Sequence, residues 1–208
     1  MRIRFDEQLK QLNKEMINMG TMIEESIGDA VKALMKQDVE LAQKVMAGDE
    51  EIDRTERKIE DLCLRLLLQQ QPVARDLRNI SAALKMVTDM ERIGDHATDI
   101  SELAIVLSEL DHIEEMARET MVMLIQSLEA YVEKDLDKAQ KVIAHDDVID
   151  DFFEEVKQEL IELIRNHADE GEQAVDLLMV TKYFERIGDH ATNIAEWVIF
   201  SITGQIAG

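Results

Sequence analysis

Carboxylates recur at four-residue intervals along two stretches of the chain that we expect to be helical. Glu91, Asp95 and Asp99 form one such series, and Asp49 and Asp53 form a shorter one. Residues four apart lie on one face of a helix, so each series predicts a ladder of carboxylates. Like charges at this spacing cost an isolated helix about 0.2–0.5 kcal/mol per pair, and a bound cation would offset that cost.

Both ladders are repeated in the second half of the chain. Asp146 and Asp150 repeat the shorter series, and Glu185 and Asp189 repeat the longer one, with Asn193 in its third place. Because of Asn193, the second set is expected to be less complete than the first. The candidate cation ligands are nine carboxylates: Asp49, Asp53, Glu91, Asp95, Asp99, Asp146, Asp150, Glu185 and Asp189.

Ligands that offer only oxygen favour hard cations, so Mg²⁺, Mn²⁺ or Ca²⁺ is expected, with iron compatible and zinc less favoured. The alternative is a solvated acidic face, because the chain has 45 acidic residues and a net charge of −22. The ladders occur twice in each half of the chain, and this recurrence favours metal binding.

An internal duplication organises the chain. The eight residues from Glu91 to Thr98 recur identically from Glu185 to Thr192, and residues 38–53 align with 135–150 at nine identical positions out of 16. Eight consecutive identities are not expected by chance, so the chain is predicted to contain two homologous units. We place the first unit at residues 1–108 and the second at 109–208.

Each unit is predicted to be a three-helix bundle, which makes the fold all-α with two tandem bundles. In the first unit the helices are expected at about 5–36, 38–68 and 75–107, with Asp38 as an N-cap that Asp135 repeats. The turn at 69–73 contains the only proline of the chain, and residues 167–171 replace it in the second unit. Apolar residues at three- and four-residue spacing give the third helices a packing seam.

The two ladders of a unit are predicted to lie side by side, on the outer flank of the seam. Asp49 and Asp53 precede the turn by about as many residues as Asp95 follows it, and the two helices should be antiparallel. At ~1.5 Å rise per residue, the ladders lie at heights that agree within roughly 3 Å. Each unit can therefore bring carboxylates of two helices together.

Glycine and arginine also recur inside the duplicated segment. Gly94 and Gly188 each cost a helix about 1 kcal/mol relative to alanine, which predicts the close approach of a neighbouring helix or a ligand. Arg92 and Arg186 are expected to pair with acidic neighbours; an anion beside the metal is the alternative.

No catalytic constellation is visible in the sequence. A Gly-rich phosphate loop, a Ser/His/Asp or Cys/His set and a zinc-spaced Cys/His set are all missing. Di-iron enzymes on helical bundles use Glu-x-x-His pairs that project inward, but Ile93 and Ile187 stand three residues before His96 and His190. Both histidines lie about 100° from the ladder and are expected to be surface residues. We therefore predict that the protein is not an enzyme.

The composition of the chain restricts the kinds of partner it can bind and where in the cell it is expected. A charge of −22 repels phosphate backbones and disfavours nucleic acid binding. The N-terminal residues lack the apolar core of a signal peptide, and no run of 18 apolar residues is present. Cys63 is the only cysteine, which excludes a disulfide framework. A cytoplasmic protein, at most peripheral to the membrane, is expected.

The doubled segment and the stretch from Gln71 to Arg78 resemble the PhoU family over essentially the whole chain. The resemblance implies two similar three-helix bundles, usually in a homodimer. It also implies a cytoplasmic regulator that links the phosphate ABC transporter ATPase to a sensor histidine kinase, limiting uptake and restraining the starvation response. Some members hold metal clusters through such ladders, which the resemblance places on the nine carboxylates named above.

Two other functions remain open from the sequence. Clustered hard cations can activate water, so a metal-dependent hydrolase is one alternative. A stand-alone metal-binding helical protein is the other.

Overall fold

The computed structural model describes residues 2–70, 73–103, 111–167, 169 and 171–205. Within these residues the chain forms six long helices and no strand, which confirms the all-α prediction. The helices are α1 (Arg2–Lys36), α2 (Val39–Gln70), α3 (Ala74–Leu103), α4 (Asp111–Glu133), α5 (Leu136–Asn166) and α6 (Gly171–Thr203). The predicted unit boundary at 108/109, the predicted end of the third helix at 107 and the turn residue Pro72 lie outside the described residues.

The second helix of each unit begins at an aspartate, as predicted. The carboxylates of Asp38 and Asp135 each accept a hydrogen bond of 3.0 Å from the backbone N–H three residues further on. This interaction satisfies one of the free N–H groups at a helix start. Gln37 and Lys134 precede the two caps with φ of 53° and 58°, so the left-handed conformation turns the chain at both places.

A continuous apolar core joins the two units. The predicted seams of α3 and α6 are buried wherever they are described, for example at Met86 and Met90 in α3 and at Phe184 and Ile187 in α6. α3 packs against α6 at the centre of the molecule, and α1 contacts α4 beside them. The third helices of the two units therefore form the central pair on which the other helices pack.

None of the described helices combines the length and the apolarity needed to cross a lipid bilayer.

The recurring glycines lie where a neighbouring helix approaches closely. A Cβ atom at Gly94 would lie 3.1 Å from Cδ1 of Ile52, and one at Gly188 would lie 3.2 Å from Oδ1 of Asp146. Both distances are shorter than ordinary van der Waals contact. The glycines thus let α2 approach α3, and α5 approach α6, at the level of the carboxylate ladders, which confirms the predicted close approach.

Candidate metal centre

Three carboxylates of the first unit converge between α2 and α3. One oxygen each of Asp49, Asp53 and Asp95 lies within 4.8 Å of the other two, and all three side chains are half-buried. The predicted matching heights of the two ladders are thereby confirmed. Hard cations contact carboxylate oxygens at about 2.0–2.6 Å, so oxygens at this spacing can share one ion. The residues present therefore fit the predicted cation.

The electrostatics of this cluster disfavour full ionisation. Burial raises the pKa of Asp49 and of Asp95, and the neighbouring carboxylates add to the effect in both cases. Burial also raises the pKa of Glu91, together with the charges of Asp95, Glu56 and Asp53, to about 7. Several carboxylates that repel one another in a partly dehydrated site are a favourable place for a cation.

Polar neighbours fix the orientation of the carboxylates. The hydroxyl of Thr98 donates to Asp49 over 3.3 Å, and the Arg57 guanidinium lies 3.2 Å from Asp53. Nδ1 of His96 lies 3.2 Å from Asp99, the last member of the α3 ladder. The α3 ladder thus runs from Glu91 to Asp99, and its middle member, Asp95, is the one that converges with Asp49 and Asp53 of α2.

Glu56 belongs to this acidic face, although the sequence analysis did not select it. Burial and the charges of Glu60, Asp53 and Asp95 raise its pKa. It follows Asp53 by three residues, so helical spacing alone could have identified it. Its counterpart in the second unit is Phe153, so Glu56 is not part of the pattern that the two units share.

The second unit brings its carboxylates together less completely. Burial, with the charges of Asp189 and Asp150, raises the pKa of Asp146 to about 6, so these groups are close neighbours. Glu185, however, is paired with Lys182 at 2.5 Å. Among the residues that the structure describes, three carboxylates converge within 4.8 Å in the first unit alone.

Asn193, in the third place of the second ladder, contacts the other unit and not a neighbouring carboxylate ladder. The Asn193 amide donates to Asp89 of α3 over 3.3 Å, and Nδ1 of His190 donates to the same carboxylate over 2.8 Å. Asn193 therefore connects the two units. The sequence difference from Asp99 corresponds to a difference in role.

The expectation that both histidines are surface residues is wrong. The side chains of His96 and His190 are only 12% and 14% exposed. Their rings stack with centroids 5.7 Å apart, and the ring of Tyr183 lies 5.5 Å from that of His96. The flank beside the ladder faces the other unit, because α3 packs on α6.

The two arginines do not form the expected salt bridges with described residues, although the charge of Arg92 acts against the rise in the pKa of Glu91 and Asp95. The side chains of Arg92 and Arg186 are exposed, and neither forms a salt bridge with any carboxylate among the described residues. The two guanidiniums instead line a groove between α3 and α6.

Known proteins match this chain in sequence over nearly its full length. The PhoU domain model matches twice, at residues 16–104 and 113–198. A protein of Clostridium acetobutylicum described as "Phosphate-specific transport system accessory protein PhoU homolog" is 40% identical, over 97% of this chain and 95% of its own. A protein of Caulobacter vibrioides with the same description is 38% identical, over 97% and 90%.

Solved structures match the fold as closely. A crystal structure of PhoU from Pseudomonas aeruginosa superposes with a TM-score of 0.90 at 33% identity, covering 97% of this chain and all of that one. The phosphate transport system regulatory protein PhoU from Streptococcus pneumoniae gives 0.91 at 26% identity, covering 98% and 99%. With two matching domains and relatives of this similarity, the chain belongs to the PhoU family.

Proposed function

We propose that this protein is an accessory regulator of phosphate-specific transport. In this proposal it acts in the cytoplasm as a homodimer and links the phosphate ABC transporter ATPase to a sensor histidine kinase. It limits phosphate uptake and restrains the starvation response when phosphate is plentiful. The observation that carries the proposal is the double PhoU domain match, supported by relatives whose descriptions name an accessory protein of phosphate-specific transport.

Regulation in this proposal occurs through binding and not through catalysis. The triad of the candidate metal centre consists of three carboxylates, with no Ser, Cys or His among its members.

A divalent cation at the first-unit triad is part of the proposal. Asp49, Asp53 and Asp95 would hold it, and it would supply positive charge between α2 and α3. The support is the convergence of three oxygens within 4.8 Å together with the raised pKa of Asp49 and Asp95. The first unit is expected to bind more tightly than the second, because among the described residues three carboxylates converge within 4.8 Å in the first unit alone.

Elemental analysis of purified protein tests the metal site. Asp95→Asn should lower the content of divalent cation per chain to below about half, because it replaces one of three charged carboxylate ligands by a neutral amide. Asp189→Asn, the equivalent change in the second unit, is the matched control and should lower it less. Equal metal content in the wild type and the Asp95→Asn variant would exclude the triad as the site.

A deletion strain tests the regulatory role. Without the protein, cells in high phosphate should take up more phosphate and express starvation genes that are normally repressed. Reintroducing the wild-type chain should reverse both effects. Normal uptake and normal repression in the deletion strain would contradict the proposal.

Incubation of the metal-loaded protein with generic phosphate esters tests the hydrolase alternative. We expect no turnover above that of the free cation. Turnover that is lost in the Asp95→Asn variant would favour the hydrolase.

A further inference from the structure

An open groove runs between the two units where α3 and α6 pack together. Its volume is about 630 Å³, and residues of both copies of the duplicated eight-residue segment line it. The charged side chains and imidazoles of the lining are Arg92, Asp95, His96, Arg186, Asp189 and His190. The groove is separate from the triad between α2 and α3, although Asp95 borders both.

The two arginines reach this groove from opposite units. Nζ of Lys85 lies 5.9 Å from the ring centroid of Trp197, and Asp89 bonds His190, so α3 and α6 run antiparallel. Extending this register places Arg92 level with His190, and Arg186 level with His96. The two arginines are then separated by one helical turn, about 6 Å along the helix axis.

Both guanidiniums are available to a ligand. They are exposed and form no salt bridge with the described residues, whereas Arg54 and Arg57 on α2 are held by Glu50 and Asp53. A guanidinium presents a planar fork of N–H donors that matches the oxygens of phosphate and similar anions. Two such forks at one groove form an arrangement that binds oxyanions.

The remaining lining determines which anion fits. The imidazoles of His96 and His190 are each held by a carboxylate, Asp99 and Asp89 respectively. Asp95 and Asp189 also line the groove, and their charge opposes an anion. A ligand that accepts hydrogen bonds from both guanidiniums at once offsets more of this repulsion than one held by a single guanidinium, which favours an anion with several oxygens.

We propose that the groove between the two units binds a tetrahedral oxyanion of the phosphate class, held between Arg92 and Arg186. This site goes beyond the proposed function. Its physiological meaning rests on the proposed function, but the binding itself does not. Free phosphate and a phosphate group carried by another molecule share the chemistry that the groove recognises.

Isothermal titration of the full chain with inorganic phosphate tests the site, with a chelator present and constant ionic strength. The test variant is Arg92→Gln combined with Arg186→Gln. The control is Arg65→Gln combined with Arg118→Gln, which removes the same charge from exposed positions on α2 and α4. A parallel titration with O-phosphoserine distinguishes the two sources of the phosphate group.

We expect one phosphate per wild-type chain. Hydrogen bonds between charged groups are worth enough that the groove variant should bind at least about tenfold more weakly. The control variant should stay within about twofold. Comparable binding of O-phosphoserine would assign the site to carried phosphate groups, and weaker binding would assign it to free phosphate.

Two results would overturn the proposal: no binding to the wild type at about 10 mM phosphate, or equal weakening in both double variants. Because binding is measured on the isolated protein, such a failure would leave the outcome of the deletion strain unaffected.

Discussion

Glu91 is the residue at which the acidic ladder of the first unit should most affect folding. Its pKa lies at about 7 in the folded protein, against an ordinary 4.5. The folded state therefore binds this proton more tightly than the unfolded state does. The resulting loss of stability is absent below about pH 4.5 and complete above about pH 7 in metal-free protein.

The replacement Glu91→Gln removes this loss. The shift from 4.5 to about 7 corresponds to about 3.4 kcal/mol at ~1.36 kcal/mol per pH unit. The side chain is half-buried and solvent screens part of the effect, so we expect about 1–2 kcal/mol. At pH 8 the variant should be more stable than the wild type by this amount, and at pH 4.5 the two should be equal.

Urea denaturation in the presence of a chelator measures the difference at both pH values. The melting temperature at pH 8 should rise by about 2–8 °C, as expected for a chain of this size. Glu185→Gln is the matched control. Because Glu185 pairs with Lys182 at 2.5 Å, its replacement should bring no gain in stability.

A Glu91→Gln variant no more stable than the wild type at pH 8 would refute the reasoning. It would show that burial and repulsion along the ladder do not oppose ionisation. An equal gain in Glu185→Gln would refute it as well, because the two units would then behave alike.

Two further predictions concern stability. Gly94→Ala should destabilise the protein by about 1 kcal/mol, because its Cβ would lie 3.1 Å from the buried Ile52 side chain. Gly48→Ala should stabilise the protein by up to about 1 kcal/mol, because a Cβ atom at this position would have no neighbouring atom within 4 Å. Thermal denaturation measures both, and a stabilised Gly94→Ala variant would contradict the close approach of α2 and α3. Asp135→Ala should lower the free energy of unfolding by about 1 kcal/mol and accelerate amide exchange at the start of α5, because the hydrogen bond from the Lys138 N–H to the Asp135 carboxylate is lost. Unchanged exchange at the start of α5 would show that Asp135 does not cap the helix.

Helical periodicity accounts for the parts of the site that could be predicted from sequence. The four-residue spacing of Asp49 and Asp53, and the distance of Asp95 from the turn, depend only on helix geometry and on an antiparallel hairpin. Gly94 predicts the close approach of a neighbouring helix, because glycine destabilises a helix interior and no turn or helix end explains its presence there. The duplication also indicated that each element occurs twice.

The packing of one unit on the other could not be predicted in this way. His96 and His190 lie on a flank that is exposed if each unit is considered alone, and it is buried because α3 packs on α6. Arg92 and Arg186 have acidic neighbours along their helices, yet their side chains face the groove between the units. Such contacts depend on how two helix faces fit together, and periodicity within a single helix does not contain that information.

The most direct test of the cation site is a crystal structure with anomalous scattering data, collected from protein loaded with Mn²⁺. We predict an anomalous peak about 2.0–2.6 Å from oxygens of Asp49, Asp53 and Asp95, and a weaker peak or none beside Asp146 and Asp189. A first-unit triad without a peak, or a stronger peak in the second unit, would contradict the assignment.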